Sequence, residues 1–357
     1  MDRIRTLYNT VERKLAGLDF GQLWPGFRPC GFALYTEEWV YLHSRVLPND
    51  GSFRGNTAIR FESGYLAIWQ VTAEDYENEN ILAANLVHEM FHVFQMEQGE
   101  SRFPDDLAAL GEPMEADLLS MKLTENRLLA QALRLEDTEA RRTALTGFCA
   151  LREERRRRLN HLPELLPETA EGMAEYVGVR ALENLDGEAF RWRIAACLRR
   201  LETAGPLQLD TRRLAYDSGL TLLLSAGAAG LELFHSPGQE SRPIYELLLP
   251  QLPRIAPPPV TPDETLEALR QQDLQSRRDT LRRFFRQAEP PVSGRFAIRG
   301  YDPMNMFRLG GLLYGSHFWS LRDLDREADV QLTGEAVLRF AVGRETSGYW
   351  IRKGDGA

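Results

Sequence analysis

Cysteine and histidine are scarce in this chain, with three of the first and six of the second in 357 residues. Cys30, Cys149 and Cys197 lie far apart and form no Cys-x-x-Cys pair, so the sequence signals neither a thiolate zinc site nor a redox motif. An odd, widely spaced set also argues against a disulfide framework. Long apolar runs are missing too. No segment approaches the roughly 20 apolar residues of a membrane helix. Charges at Arg3, Arg5, Glu12, Arg13 and Lys14 interrupt the start, so no secretory signal is expected. Positive charge is in deficit: the net charge of −9 makes nucleic acid a poor partner, because phosphate binding needs clustered Lys and Arg. The one basic run, Arg155 to Arg158, sits in a helical pattern beside Glu153 and Glu154 and reads as a solvated helix face. These absences leave a soluble protein of the reducing cytoplasm, with no membrane or nucleic-acid partner, as the expectation.

What is present is ordinary globular composition, 43% hydrophobic and 27% charged. Apolar spacing predicts a helix from residue 3 to about 17, then a Gly- and Pro-punctuated loop from Phe20 to Pro29. Strand-like runs follow at Gly31–Thr36, Trp39–His43 and Thr57–Val71, the last broken at Ser63-Gly64, giving a small sheet over 29–72. Residues 81–98 read as a helix apolar on most of its circumference, hence buried, ending at Gly99. Helical patterns continue near 113–134, 138–160, 166–184, 187–203 and 211–226. Six prolines between Pro250 and Pro262 mark a stiff linker. Thr261-Pro262-Asp263-Glu264 then reads as a helix start, with Thr261 as cap, for a helix to about Gln287. Beyond Gly294, runs at Phe296–Ile298, Val330–Leu332 and Val337–Val342 alternate like strands. The expected fold class is α+β. A mostly helical domain with its N-terminal sheet spans 1–249, a Pro-rich linker 250–261, and a small C-terminal α/β appendage 262–357.

The chemistry concentrates in His88-Glu89-Met90-Phe91-His92. Four residues apart on a helix, the two imidazoles share one face and can reach one tetrahedral zinc. Glu89, one residue round, can reach the fourth position and take a proton from water there. Two His and a Glu inside such an apolar helix are costly unless ligated or paired. The alternative is a pair of core histidines satisfied by hydrogen bonds. A third ligand is required. Positions three and six after His92 are Gln95 and Gln98, so the ligand set with a third His close behind is excluded. A downstream glutamate can serve instead. Glu171-Gly172-Met173-Ala174-Glu175-Tyr176 is the natural source, with Gly172 and Ala174 small enough to let its helix approach the zinc helix. Glu171 would be the ligand, and Glu175, one turn later, would hydrogen-bond the far nitrogen of a ligand His. The competing readings are an exposed acidic stripe of Glu168, Glu171 and Glu175, and His161 as the third ligand.

Together, His-Glu-Met-Phe-His and Glu-Gly-Met-Ala-Glu-Tyr resemble the gluzincin branch of the zincin metallopeptidases, which includes thermolysin and the aminopeptidase N family. The resemblance covers roughly residues 60–230. It implies a zincin-like catalytic domain holding Zn2+ through His88, His92 and Glu171. It further implies hydrolysis of a peptide or protein substrate by a metal-activated water, with Glu89 as general base. Tyr216-Asp217-Ser218-Gly219 resembles the Tyr-x-x-Gly helix start of the aminopeptidase branch, which would make Tyr216 an oxyanion donor. The alternative for Tyr216 is a phenol packed on the core. The strand Tyr65–Val71 would be the sheet edge along which an extended peptide lies. The chain departs from these families in the long gap between His92 and Glu171, and it lacks their Gly-x-Met-Glu-Asn exopeptidase signature. Exo- and endopeptidase action both stay open. The alternative function is a non-catalytic regulatory or peptide-binding protein that keeps the zinc site.

Overall fold

The structure, a computed structural model, describes residues 2–111, 114–159, 162–340 and 343–352. Helix α1 (Asp2–Ala16) and the short α2 (Phe20–Leu23) lead into strands β1 (Phe32–Tyr35), β2 (Trp39–Tyr41), β3 (Val46–Pro48), β4 (Thr57–Phe61) and β5 (Gly64–Gln70). Helices α3 (Glu79–Glu97), α4 (Asp106–Ala109), α5 (Ala116–Arg134), α6 (Thr138–Leu159), α7 (Leu165–Leu185), α8 (Gly187–Glu202) and α9 (Thr211–Ala228) follow. Last come α10 (Glu264–Phe285) and strands β6 (Val292–Tyr301), β7 (Met306–Leu309), β8 (Leu312–Gly315), β9 (Phe318–Asp323), β10 (Ala328–Thr333), β11 (Ala336–Phe340) and β12 (Glu345–Ile351). The class is α+β. Two compact units form, one from residues 1–103, 123–203 and 214–259, the other from 104–122, 204–213 and 260–357. The units are therefore not contiguous in sequence: segments 104–122 and 204–213, expected in the first domain, group with the C-terminal residues.

In the first unit, β1 to β5 make a five-stranded sheet in the order β3-β2-β1-β5-β4. The β1–β5 pair is parallel, Phe32 opposite Ala67, and the other pairs are antiparallel. Alternation sorts the side chains: Phe32, Leu34 and Ala67 join the helical core, while Ala33, Tyr35, Leu66 and Ile68 pack with Phe53 on the other face. One correction bears on function. Tyr65–Val71 was expected at the sheet edge, but β5 lies between β1 and β4, and the edges are β3 and β4. Segment Phe20–Pro29 holds α2, capped by Asp19, rather than loop alone.

Helix α3 is the centre of this unit. It packs on β4 and β5 on one side and along α7 on the other. Leu82, Leu86, Val87, Met90, Phe91, Val93 and Phe94 are all buried, at about 1.5–3 kcal/mol for each large side chain. That burial outweighs the cost of the few polar groups carried on the α7 side. Gly99 ends the helix at φ +73°, the left-handed conformation glycine adopts freely. Helix α7 comes close because Gly178 presents no side chain to α3: a Cβ there would meet Ala84 O at 2.9 Å and His88 Cβ at 3.2 Å. Gly172, expected to open this approach, faces α9 instead, where a Cβ would lie 2.6 Å from Gly219 Cα.

The basic run is also corrected. Arg155 is fully buried, bonding Glu125 at 2.8 Å and pairing with Glu164, while Arg157 and Arg158 remain on the exposed face. Three residues earlier, Arg152 sits in the same buried network, donating to Glu125 and Glu168 at 3.1 Å each.

The second unit carries a seven-stranded sheet in the order β10-β9-β6-β12-β11-β8-β7, antiparallel throughout. Phe296, Ile298, Trp319, Leu321 and Leu338 form one core with Leu107 of α4. On the opposite face, Leu281 and Phe284 of α10 pack on Tyr314 and Val337. The expected α/β appendage is thus an antiparallel sheet with α10 against one face and Leu107 of α4 in the core on the other, more extensive than the three runs suggested. Residues 341 and 342, the end of the Val337–Val342 run, lie outside the described residues. Helix α10 starts later than expected. Asp263, not Thr261, caps it, accepting from Thr265 N at 3.0 Å.

Candidate metal centre

His88 and His92 project from α3 toward Glu171 and Glu175 on α7. On a helix, Glu171, Glu175 and Gly178 stand at i, i+4 and i+7, so the two carboxylates and the gap that admits α3 share one face. His92 Nε2 lies 3.1 Å from His88 Nε2 and 3.1 Å from Glu171 Oε2, and His88 Nε2 lies 3.6 Å from Glu171 Oε2. The far nitrogens are occupied. His88 Nδ1 is 3.3 Å from Glu175 Oε2, and His92 Nδ1 is 2.7 Å from Gln95 Oε1. Gln95 is fully buried and donates its amide to Ala170 O at 3.0 Å, so its oxygen faces His92. Both Nδ1 atoms therefore donate, and both Nε2 atoms turn toward each other and toward a carboxylate oxygen.

An ion joining these three atoms would take the place of the proton that otherwise bridges them. A tetrahedral ion with bonds of about 2.0–2.1 Å holds its ligand atoms roughly 3.3–3.4 Å apart. The separations of 3.1, 3.1 and 3.6 Å straddle that value. Glu89 belongs to the same cluster, since its carboxylate and the two imidazoles offer atoms within 4.8 Å of one another. Its Oε2 is buried and has no hydrogen-bond partner. The donor set thus fits a divalent ion bound by two imidazoles and one carboxylate.

The electrostatics agree. Burial would lower His88, but hydrogen bonds to Glu171 and Glu175 and the charge of Glu89 raise it to about 10. The pocket favours positive charge, whether proton or metal ion. Burial would raise Glu175, but its bond to His88 and the guanidinium of Arg193, 2.6 Å away, bring it down to about 2. Glu175 is thereby kept ionised while accepting from His88. Glu89 is pushed up by burial, against the pull of both histidines.

Each residue singled out from the sequence can now be placed. His88, Glu89, His92, Glu171 and Glu175 come together. Glu168, Glu171 and Glu175 are buried rather than an exposed stripe. His161 lies outside the described residues. Tyr216 is brought to the site: its ring stacks parallel to that of His88, centroids 5.9 Å apart at 4°. It sits within α9 rather than at a helix start, since α9 begins at Thr211. Two residues were missed. Gln95 was read only as the absence of a histidine, although a polar residue three positions after His92 on an apolar helix was itself a signal. Arg193 had no signal, because its role depends on where α8 packs. No family model, no curated protein and no solved structure matches the chain. The functional reading therefore rests on the site alone.

Among the described residues, no helix is long and apolar enough to cross a membrane.

Proposed function

We propose that this protein is a zinc-dependent peptidase with a zincin-type site, in which His88, His92 and Glu171 hold the metal and Glu89 is the general base. The observation that carries the reading is the convergence of His88 Nε2, His92 Nε2 and Glu171 Oε2, with both Nδ1 atoms committed elsewhere. Two neutral imidazoles and a carboxylate are a ligand set that suits Zn2+. Bound there, the ion would supply Lewis acidity to a water and to the substrate carbonyl. The protein's own groups supply the rest. Glu89, with a carboxylate oxygen free of other bonds, takes the water's proton during attack and passes it to the departing amine. Glu175, held ionised by Arg193, keeps His88 oriented, and Gln95 does the same for His92. Tyr216, stacked beside His88, is the donor toward the developing oxyanion. An extended peptide or protein substrate would add to the β4 edge. Three free cysteines fit the reducing cytoplasm as the setting.

The test combines metal analysis with a peptide library. The wild type is expected to carry one zinc per chain and to cleave. Glu89→Gln is expected to keep the zinc and lose about 10²–10⁴-fold in rate. Purified protein without stoichiometric zinc refutes the metal assignment. Zinc without cleavage refutes the peptidase and leaves a regulatory or peptide-binding role.

A further inference from the structure

Helices α7 and α9 meet backbone to backbone at Gly172 and Gly219. A Cβ on Gly219 would lie 2.4 Å from Glu168 O and 2.6 Å from Gly172 Cα. Side chains of both helices also share one core, Met173, Ala174 and Val177 of α7 with Leu222, Leu223 and Ala226 of α9. Beside it sits a buried polar latch. Ser218 Oγ donates to Glu168 Oε2 at 2.7 Å, and both residues are buried. Glu168 cannot turn away, because Arg152 grips it through Nη1 and Nη2. Arg152 is fixed in turn by Glu125, by the face of Phe148 at 4.3 Å and by Tyr245 at 5.3 Å.

The latch stands between two site residues. On α7, Glu168 precedes Glu171 by three residues, nearly one turn. On α9, Ser218 follows Tyr216 by two. A shift of α9 along α7 would leave Glu171 on α3's imidazoles and carry Tyr216 off the ring of His88. Other ties to α9 reach it from α8, where Arg200 binds Asp217 at 2.6 Å.

We propose that Ser218 and Glu168, backed by Arg152, are positioning residues that set the register of α9 on α7 and so hold Tyr216 against His88. The catalytic part of this inference rests on the peptidase reading above. The structural part does not.

Two readouts separate them. The first is NMR of 13C-histidine in the full-length protein, following the His88 ring protons, which the parallel Tyr216 ring shields. Tyr216→Leu assigns that shielding by removing it. Ser218→Ala is expected to move the His88 signals most of the way to their Tyr216→Leu positions. Ser225→Ala, which deletes another buried hydroxyl of α9, is expected to leave them in place. The second readout is hydrolysis. Ser218→Ala should lower kcat by about 10- to 100-fold with zinc content unchanged. In a Tyr216→Phe background it should add little. Unmoved His88 signals in Ser218→Ala overturn the proposal whatever the activity. So does a shift of equal size in Ser225→Ala, or losses in kcat that multiply in the double variant. A wild type that cleaves no peptide refutes the peptidase, while the NMR still decides the positioning.

Discussion

Replacing Gln95 by Leu tests whether the arrangement on α3 is a metal site or a satisfied polar core. The side chains are close in size, so packing changes little. Two hydrogen bonds disappear, one from His92 Nδ1 and one to Ala170 O. The Ala170 carbonyl, inside α7 next to Glu171, loses its side-chain donor but keeps its place in the helix ladder, at about 0.5–1.5 kcal/mol. That cost falls on the protein with and without metal and so cancels from the binding constant. The His92 bond does not cancel. A metal on Nε2 polarises the imidazole and strengthens the Nδ1–H donor, so Gln95 binds the metallated ring more tightly than the bare one. Loss of such an orienting partner costs about 10–100-fold in metal affinity, equivalent to roughly 1.4–2.7 kcal/mol.

The assay is zinc titration against a chromophoric chelator, paired with urea unfolding of the metal-free protein. The expected result is weaker zinc binding together with a modest loss of metal-free stability. Gln95→Glu keeps an acceptor for His92 and should retain more of the affinity than Gln95→Leu. The reasoning is refuted if Gln95→Leu loses stability but binds zinc as the wild type does. His92 Nε2 would then not be a ligand atom.

Gly178→Ala should lower stability by about 1–3 kcal/mol through overpacking, since its Cβ would sit 2.9 Å from Ala84 O; urea unfolding measures this, and zinc titration should show weakened binding as α7 is pushed from α3. Arg152→Met should cost about 3–5 kcal/mol in unfolding free energy, because it strands the buried charge of Glu168 and leaves Glu125 paired with Arg155 alone. The pair of Glu100 and Arg102 sets an acid limit. Burial would raise Glu100, but the Arg102 guanidinium, 2.6 Å away, holds it below the ordinary 4.5. Its contribution is therefore present above about pH 4.5 and is lost as pH falls toward the lower folded-state value. Glu100→Gln should flatten that limb of the stability–pH curve.

Much of the first unit was legible because its helices carry strong local signals. Helix α7 was read as 166–184 and runs Leu165–Leu185; α6 was read as 138–160 and runs Thr138–Leu159. What failed was rotational phase. A glycine shows that something comes close, not what. Gly172 lies about 100° round the helix from Glu171, which turns it to α9. Gly178 stands seven positions after Glu171, almost in line with it, and the periodicity alone could have selected it as the residue facing α3. The same lapse hid Arg155. A run of consecutive arginines must circle the helix, and the member three positions after Arg152 shares that residue's buried face. Strand order was beyond local reading, since the parallel pairing of β1 with β5 is a long-range choice that moves the edge to β4.

The burial of Glu89 bears on the proposed catalytic role of the site. A structural zinc site closes on four protein ligands, and its neighbouring carboxylates are bonded or absent. Here three protein atoms converge, while a carboxylate oxygen within reach is buried with no partner. An unsatisfied buried polar group costs about 1–3 kcal/mol, more if charged. Glutamine at position 89 would relieve much of that cost while leaving His88, His92 and Glu171 in place. A fold selected only to hold a metal gains nothing from the carboxylate. A fold that must take a proton from water beside the metal needs it, and needs it unbonded until water arrives. On the proposed peptidase reading, Glu89→Gln should give a protein that is at least as stable, still loaded with zinc and inactive. If that variant is less stable than the wild type, Glu89 is held by contacts that make it a structural group, and the argument for catalysis from its burial fails.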